Sequence, residues 1–379
     1  MNKASLLLVL LSSNLAAGGA VLERDGYHVQ PGESIQEALD LAARNPTNKV
    51  VKVHGGTYRP AAKRQALIYF NQKHDGVHCL AVGEVTLVAA NPELTNPRTQ
   101  GFPSVVNHVV YFGHGVTSNT VLQGFRITGA NHFVSEKFTQ PMEPDASVPK
   151  NLFFYTDGGA IKVFGRSSPT LRNLEIVENY ASPCAGGISI QQEGLNQEEV
   201  LIENCVFRGN RAEVTGSAID LLAGSAARIR NCLLVGNASN QGNDVMYHQR
   251  PGDINFTNSG VLTIFQKSRA VVEKCTFTGN RNGVDDMGGL SSYKDCIFAE
   301  DLLSEGLKGT TRYEVDLPHG GRVSGCVFRG TVLDGMKAVA SRDNLLGAPP
   351  PGFNDAFVPT AREYLNAGYR PVQTVVRNP

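Results

Sequence analysis

GAIKVFGRSSPTLRNL (159–174), SAIDLLAGSAARIRNC (217–232) and GVLTIFQKSRAVVEKC (260–275) are one sixteen-residue phrase written three times without a gap. RYEVDLPHGGRVSGC (312–326) reads as a further copy, and GGISIQQEGLNQEEVLIENC (186–205) fits with four extra residues in its middle. Each copy alternates apolar and variable residues, turns, and closes on a second apolar run such as LEIVEN, CVFRGN, CLLVGN or CTFTGN. A period of two marks strands. The alignment places Ile161 and Val163, Ile188 and Ile190, Ile219 and Leu221, Leu262 and Ile264, and Tyr313 and Val315 at equivalent inward positions. Copies recur about every 21 to 49 residues with no helical pattern between the strands, which excludes βαβ units and leaves a parallel β-solenoid.

Two more columns share the register. Leu174, Cys205, Cys232, Cys275, Cys296 and Cys326 are equivalent, and Asn179, Asn210, Asn237 and Asn280 follow five residues later, with Asp301 and Thr331 continuing them. The cysteines lack CxxC spacing and occupy an inward strand position, so they read as stacked structural thiols; Cys79 and Cys184 are left over as buried, free thiols. The Gly-Asn pairs read as a turn that tolerates left-handed backbone, with an asparagine ladder along the solenoid.

The chain has 379 residues, 41% of them apolar, enough for one long solenoid domain. Lys plus Arg equals Asp plus Glu at 35 each, with no basic run, which argues against nucleic acid as a partner. Lys3, the apolar run Leu6 to Leu11 and the small residues ending at Ala20 read as an export signal, so residues 1–20 are expected to be removed and the protein to be secreted or periplasmic. No later run is long enough for a membrane span. Residues 21–347 form the solenoid, with 21–60 as cap and first strand: a turn at Pro31-Gly32, then a helix capped by Ser34 with Ile35, Ala38, Leu39 and Ala42 on one face. Residues 348–379, with PPPGF, form an irregular tail expected over the last coil, and the expected state is a monomer.

PGESIQEAL and VVKVHGGTY near the start, with GGAIKV, PTLRN, AIDLL and RIRNCLLVGN in the repeats, resemble the right-handed parallel β-helix, or pectin-lyase-like, superfamily from about Val29 to Gly347. The resemblance implies an all-β, right-handed parallel β-helix of roughly nine to eleven coils. It also implies an exported protein acting on a polysaccharide by lyase, hydrolase or epimerase chemistry. The alternative is a non-catalytic extracellular glycan-binding or surface-interaction module, because none of the named enzyme families' catalytic signatures is present.

Ala130 to Ile161 and Asn237 to Leu262 exceed the regular spacing by about 22 and about 16 residues, and both insertions leave the equivalent turn. With strands ~4.8 Å apart, their bases lie ~14 Å apart and bracket a trough. Its expected floor is an outward stripe of Lys162, Ser189, Asp220 and Thr263, with Phe164, Gln191, Leu222 and Phe265 alongside. The walls offer Glu136, Lys137, Tyr155 and Asp157 on one side and Asp244, Tyr247, His248, Arg250 and Asp253 on the other. Lys162, Asp220, Asp157, His248 and Arg250 are the candidate catalytic residues, since proton abstraction beside a carboxylate needs a base and a cationic clamp. Ser189, Gln191, Thr263 and Tyr247 are the candidate substrate-binding residues. Asp285-Asp286 reads as a turn able to hold Ca²⁺ or simply as two solvated carboxylates. No other cofactor is signalled.

Overall fold

The computed structural model describes residues 19–62, 64–93, 104–131, 157–181, 184–239, 260–299, 313–341 and 343–372. From Ile161–Phe164 onward each coil contributes a strand to an eight-stranded parallel sheet and two further strands to an eighteen-stranded one, while the two coils before it give the larger sheet one long strand each, His78–Val88 and Val121–Thr128. The eight-stranded sheet runs through Arg64–Phe70, Val106–Phe112, Ile161–Phe164, Ile188–Gln191, Ile219–Leu221, Leu262–Ile264, Val284–Asp286 and Val315–Asp316. A short third sheet joins Tyr180–Ala181 to Arg211–Ala212.

The alternation explains why the stack holds. Ile161, Ile188, Ile219 and Leu262 pair in one internal column and are fully buried, as their spacing predicts. The column then continues through Val284 and Val315. This shifts the last coil by two residues from the sequence alignment: Val315, not Tyr313, is the equivalent of Ile161. The alignment was anchored on Cys326, and the turn between Val315 and that cysteine is two residues shorter than in the first copies. The Val284–Asp286 segment is likewise a strand, not a turn. Asp285 and Asp286 therefore project to opposite faces of that strand and cannot share one Ca²⁺ ion.

Bends between strands come from residues in left-handed backbone. Asn173, Asn204, Asn231, Lys274, Asp295 and Gly325 have φ of 50–63° just before the cysteine column, and Gly209, Gly236 and Gly279 have φ of 63–64° just before the asparagines. Asn210 shows how the ladder is wired. Its Nδ2 donates to Asn237 Oδ1 at 3.0 Å and to Ile176 O at 2.8 Å, while its Oδ1 accepts from Asn179 N and Nδ2 at 3.2 and 3.1 Å. The cysteines stack beside it, buried and unbridged, their Sγ atoms facing backbone carbonyls. All seven cysteines are free and buried. Alkylation without reductant is therefore expected to label none in the folded protein and all seven after unfolding, read by intact mass. Labelling of an even number fewer would reveal disulfides.

The N-terminal end is closed by helix Ile35–Arg44, whose Ser34 cap accepts from Glu37 N at 3.2 Å and whose Ile35, Ala38, Leu39 and Ala42 enter the main core. Unpaired edges are thereby covered. At the other end the short helix Met336–Val339 buries Val339 against the last coil. The tail packs on the flank of the last coil and of the coils before it. It runs back along the flank of the long sheet, packing Ala348, Tyr364 and Ala367 on Ile297, Ala299 and Val327, and Arg370 N donates to Asn231 Oδ1 at 2.8 Å. It is held there because the outward residues of those strands are apolar. No helix among the described residues is long and apolar enough to cross a membrane.

Candidate functional site

The face opposite Ile161 in the eight-stranded sheet carries Tyr111, Lys162, Ser189, Asp220, Thr263, Asp285 and Asp316 as one in-register column. Lys162, Ser189, Asp220 and Thr263 were expected to form an open floor. They are instead fully buried, as is Asp157, and Gln191 is 1% exposed. The cause is a turn repeated in three successive coils. Gly158, Ala185 and Gly216 have φ of 79°, 49° and 59°, which folds the preceding residue back over the strand that follows. At Gly158 an added Cβ would stand 2.6 Å from Ile161 O, and at Gly216 2.5 Å from Asp220 Cβ, so the fold-back is tight enough to require glycine there. Asp157, Cys184 and Thr215 are thereby laid beside the residues five positions later.

The result is a closed polar layer. Lys162 Nζ donates to Asp157 Oδ1 at 2.7 Å, Gln191 Oε1 at 2.8 Å and Ser189 Oγ at 3.1 Å, and Ser189 Oγ donates to Asp157 Oδ2 at 2.6 Å. This arrangement argues against a Ser–Lys nucleophile: an ammonium whose charge is matched by Asp157 is a donor, not a base. One coil further, Thr215 Oγ1 lies 3.1 Å from both Cys184 Sγ and Asp220 Oδ2. Burial pushes Asp220 up to about 7, with the Asp157 charge adding to it and the contacts of Cys184 and Thr215 opposing it. Burial and the carboxylates of Asp220 and Asp157 together push the Cys184 thiol well above its usual range. On the N-terminal side His108, also fully buried, approaches Gly158 O at 2.9 Å and Gln65 at 2.8 Å, extending the layer.

The column is slightly exposed at its other end. Asp285 and Asp316 are direct partners on adjacent strands, 6% and 9% exposed, with half-buried Phe265 and Met287 alongside. Burial, then Asp316, Asp286 and Asp220, hold the Asp285 carboxyl well above the carboxylate range. Asp316 is raised by burial and by Asp334, against a hydrogen bond from Asp334 N at 3.3 Å. Asp286 points into the core, accepting from Tyr293 Oη at 2.7 Å and Gly288 N at 2.8 Å. Glu314, two residues before Asp316, is buried as well.

The structure thus brings together Asp157, Lys162, Ser189, Gln191, Asp220 and Thr263. Tyr247, His248 and Arg250, together with Glu136, Lys137, Tyr155, Asp244 and Asp253, lie outside the described residues. Sequence reading missed Asp316, Thr215 and His108, and named Cys184 only as a buried, free thiol. The interval of 21 residues between Cys275 and Cys296 was the signal for Asp285, since a coil without insertion must contain its own column strand.

A second cluster, Glu23, Asp25 and His28, is the one group among the described residues with three metal-capable side chains close together. Hydrogen bonds from Lys52 and His28 already occupy Asp25 and hold it down to about 2.

Residues 109–261 match the family model described as the right-handed β-helix region. With the parallel sheets, this makes the chain an all-β, right-handed parallel β-helix protein. No curated protein and no solved structure matches the sequence.

Proposed function

We propose that the protein is exported and acts on a polysaccharide, with Asp285 and Asp316 as an acid–base pair at the open end of the column. The observation that carries this reading is their placement: two aspartates in register on adjacent strands, both with a small exposed fraction, beside a partly apolar strip suited to a sugar face. Two carboxylates so close share a proton, so one acts as acid while the other is ionised. Asp285, the more buried and the more surrounded by acids, takes the role of acid; Asp316, beside Asp334 N, takes that of base or nucleophile. The closed Asp157–Lys162 layer then serves as the rigid support beneath the site.

Incubation with a panel of neutral, acidic and amino polysaccharides, following reducing ends and ultraviolet absorbance, tests this. New reducing ends without absorbance are expected, and Asp285→Asn or Asp316→Asn is expected to lower the rate by at least about a hundredfold. Absorbance would mean elimination. Binding without turnover, insensitive to both substitutions, would favour a non-catalytic glycan-binding module.

A further inference from the structure

We propose that the C-terminal tail and the long sheet form a separate binding site between them, for an uncharged sugar unit of a glycan chain. A cavity of about 650 Å³ lies there, lined by Val235 and Thr278 from the sheet and by Phe353, Asn354, Asp355 and Phe357 from the tail. That is the size of pockets that enclose a small ligand. The site does not rest on the reading of Asp285 and Asp316, whose strands belong to the other sheet.

The tail side of the cavity is held in an unfavourable backbone shape. Phe357 has a φ of 57°, a left-handed conformation that bulky side chains rarely adopt. Asn354 fixes the turn: its Oδ1 accepts from Ala356 N and Val358 N at 3.0 Å, and its backbone carbonyl accepts from Phe357 N at 2.9 Å. Strain of this kind persists only where the surroundings determine it. Here it sets the Phe357 ring beside that of Phe353, with centroids 6.1 Å apart, and beneath the Arg208 guanidinium at 5.3 Å. Both rings remain half-buried.

The sheet side supplies an unused polar group. Thr278 is 3% exposed and lines the cavity, yet its hydroxyl has no hydrogen-bond partner among the described residues. A buried hydroxyl without a partner is unfavourable, and a ligand hydroxyl in the cavity would provide one. Asn354 Nδ2 and the Asp355 carboxylate, both on exposed residues and likewise without hydrogen bonds among the described residues, offer a donor and acceptors. One carboxylate at the cavity and one guanidinium on the Phe357 ring offset each other, which favours a ligand without net charge. A pyranose matches this lining, with an apolar C–H face for the rings and a belt of hydroxyls, each both donor and acceptor, for Thr278, Asn354 and Asp355.

The test is isothermal titration of the full chain with cellohexaose, mannohexaose and laminarihexaose, with an oligogalacturonate and decaproline as the charged and peptide comparisons. At least one neutral hexasaccharide is expected to bind. Phe357→Ala should weaken that binding at least about tenfold and Thr278→Val about fivefold. Because the Thr278 hydroxyl bonds nothing in the free protein, Thr278→Val should also leave the urea midpoint unchanged or raise it, a split that a purely structural role does not produce. The same variant keeps the question answerable if Phe357→Ala does not fold. Asp285→Asn/Asp316→Asn should leave this affinity as it is. Binding of no neutral hexasaccharide, or binding that Thr278→Val does not change, would overturn the site. Tighter binding of decaproline or of the oligogalacturonate would overturn it too, in favour of a peptide or anion site, and loss of binding in Asp285→Asn/Asp316→Asn would place the sugar on the other sheet. Binding here without turnover of any polysaccharide would remove the acid–base reading and leave this one standing.

Discussion

Asp157→Asn is expected to cost about 3–5 kcal/mol of stability, because it leaves the buried Lys162 charge without its ion-pair partner. Lys162 and Asp157 are each fully buried and 2.7 Å apart. Removing the carboxylate's charge takes away the ammonium's ion-pair partner, while the Ser189 hydroxyl and the Gln191 carbonyl still accept from it. Neither matches its charge, and in this enclosure water does not replace the lost partner. The paired change Asp157→Asn/Lys162→Met removes both charges and should recover most of the loss, since a buried ion pair replaced by neutral groups of similar volume is often close to neutral. Urea unfolding at pH 7 measures both, with the denaturant slope required to stay constant. Equal losses in the single and paired variants would show that packing, not charge, holds the layer.

The solenoid was legible because its inward positions repeat one chemistry. Ile161, Ile188, Ile219 and Leu262 are aliphatic in every coil, and Cys205 to Cys326 and Asn179 to Asn280 mark two further positions, so the columns can be read without a structure. Reading failed where one coil departs from the others in length. Anchoring the last copy on Cys326 hid a turn two residues shorter, which put Tyr313 where Val315 belongs and left Asp316 unnoticed opposite Asp285. The outward column was named largely correctly, yet its burial was not foreseen. Alternation says which face a residue takes, not what lies over that face, and the covering depends on the left-handed turns at Gly158, Ala185 and Gly216. Ala185 conceals that pattern, since alanine does not advertise a positive φ as glycine does. The tail was illegible for a further reason: its anchor, Asn231 with Arg370, joins residues 139 positions apart and follows no repeat.

Asp220 should make the protein less stable as pH rises, and by a large margin. Its ordinary value is 3.8, and burial raises it to about 7 in the folded chain. The folded state therefore holds the Asp220 proton more tightly than the unfolded state does. Below about pH 3.8 both states are protonated and the contribution is fully favourable; between about 3.8 and 7 the unfolded chain ionises first, so stability falls as pH rises. Above about 7 both are ionised and the loss levels off near 4 kcal/mol, taking about 1.36 kcal/mol per pH unit between the two values. Asp285, also raised by burial and by its acidic neighbours, acts in the same direction. Asp220→Asn carries no titrating proton but keeps the shape and can still accept from Thr215 Oγ1. Its difference in unfolding free energy from the unaltered protein should thus change steadily between about pH 4 and 7, in favour of the variant, and then stay flat. Urea unfolding of both proteins at intervals across that range reads the slope directly. A difference that is constant with pH would mean that Asp220 is ionised in the folded layer throughout, with its unpartnered Oδ1 satisfied by a donor, and the electrostatic description of this column would have to be rebuilt around that donor.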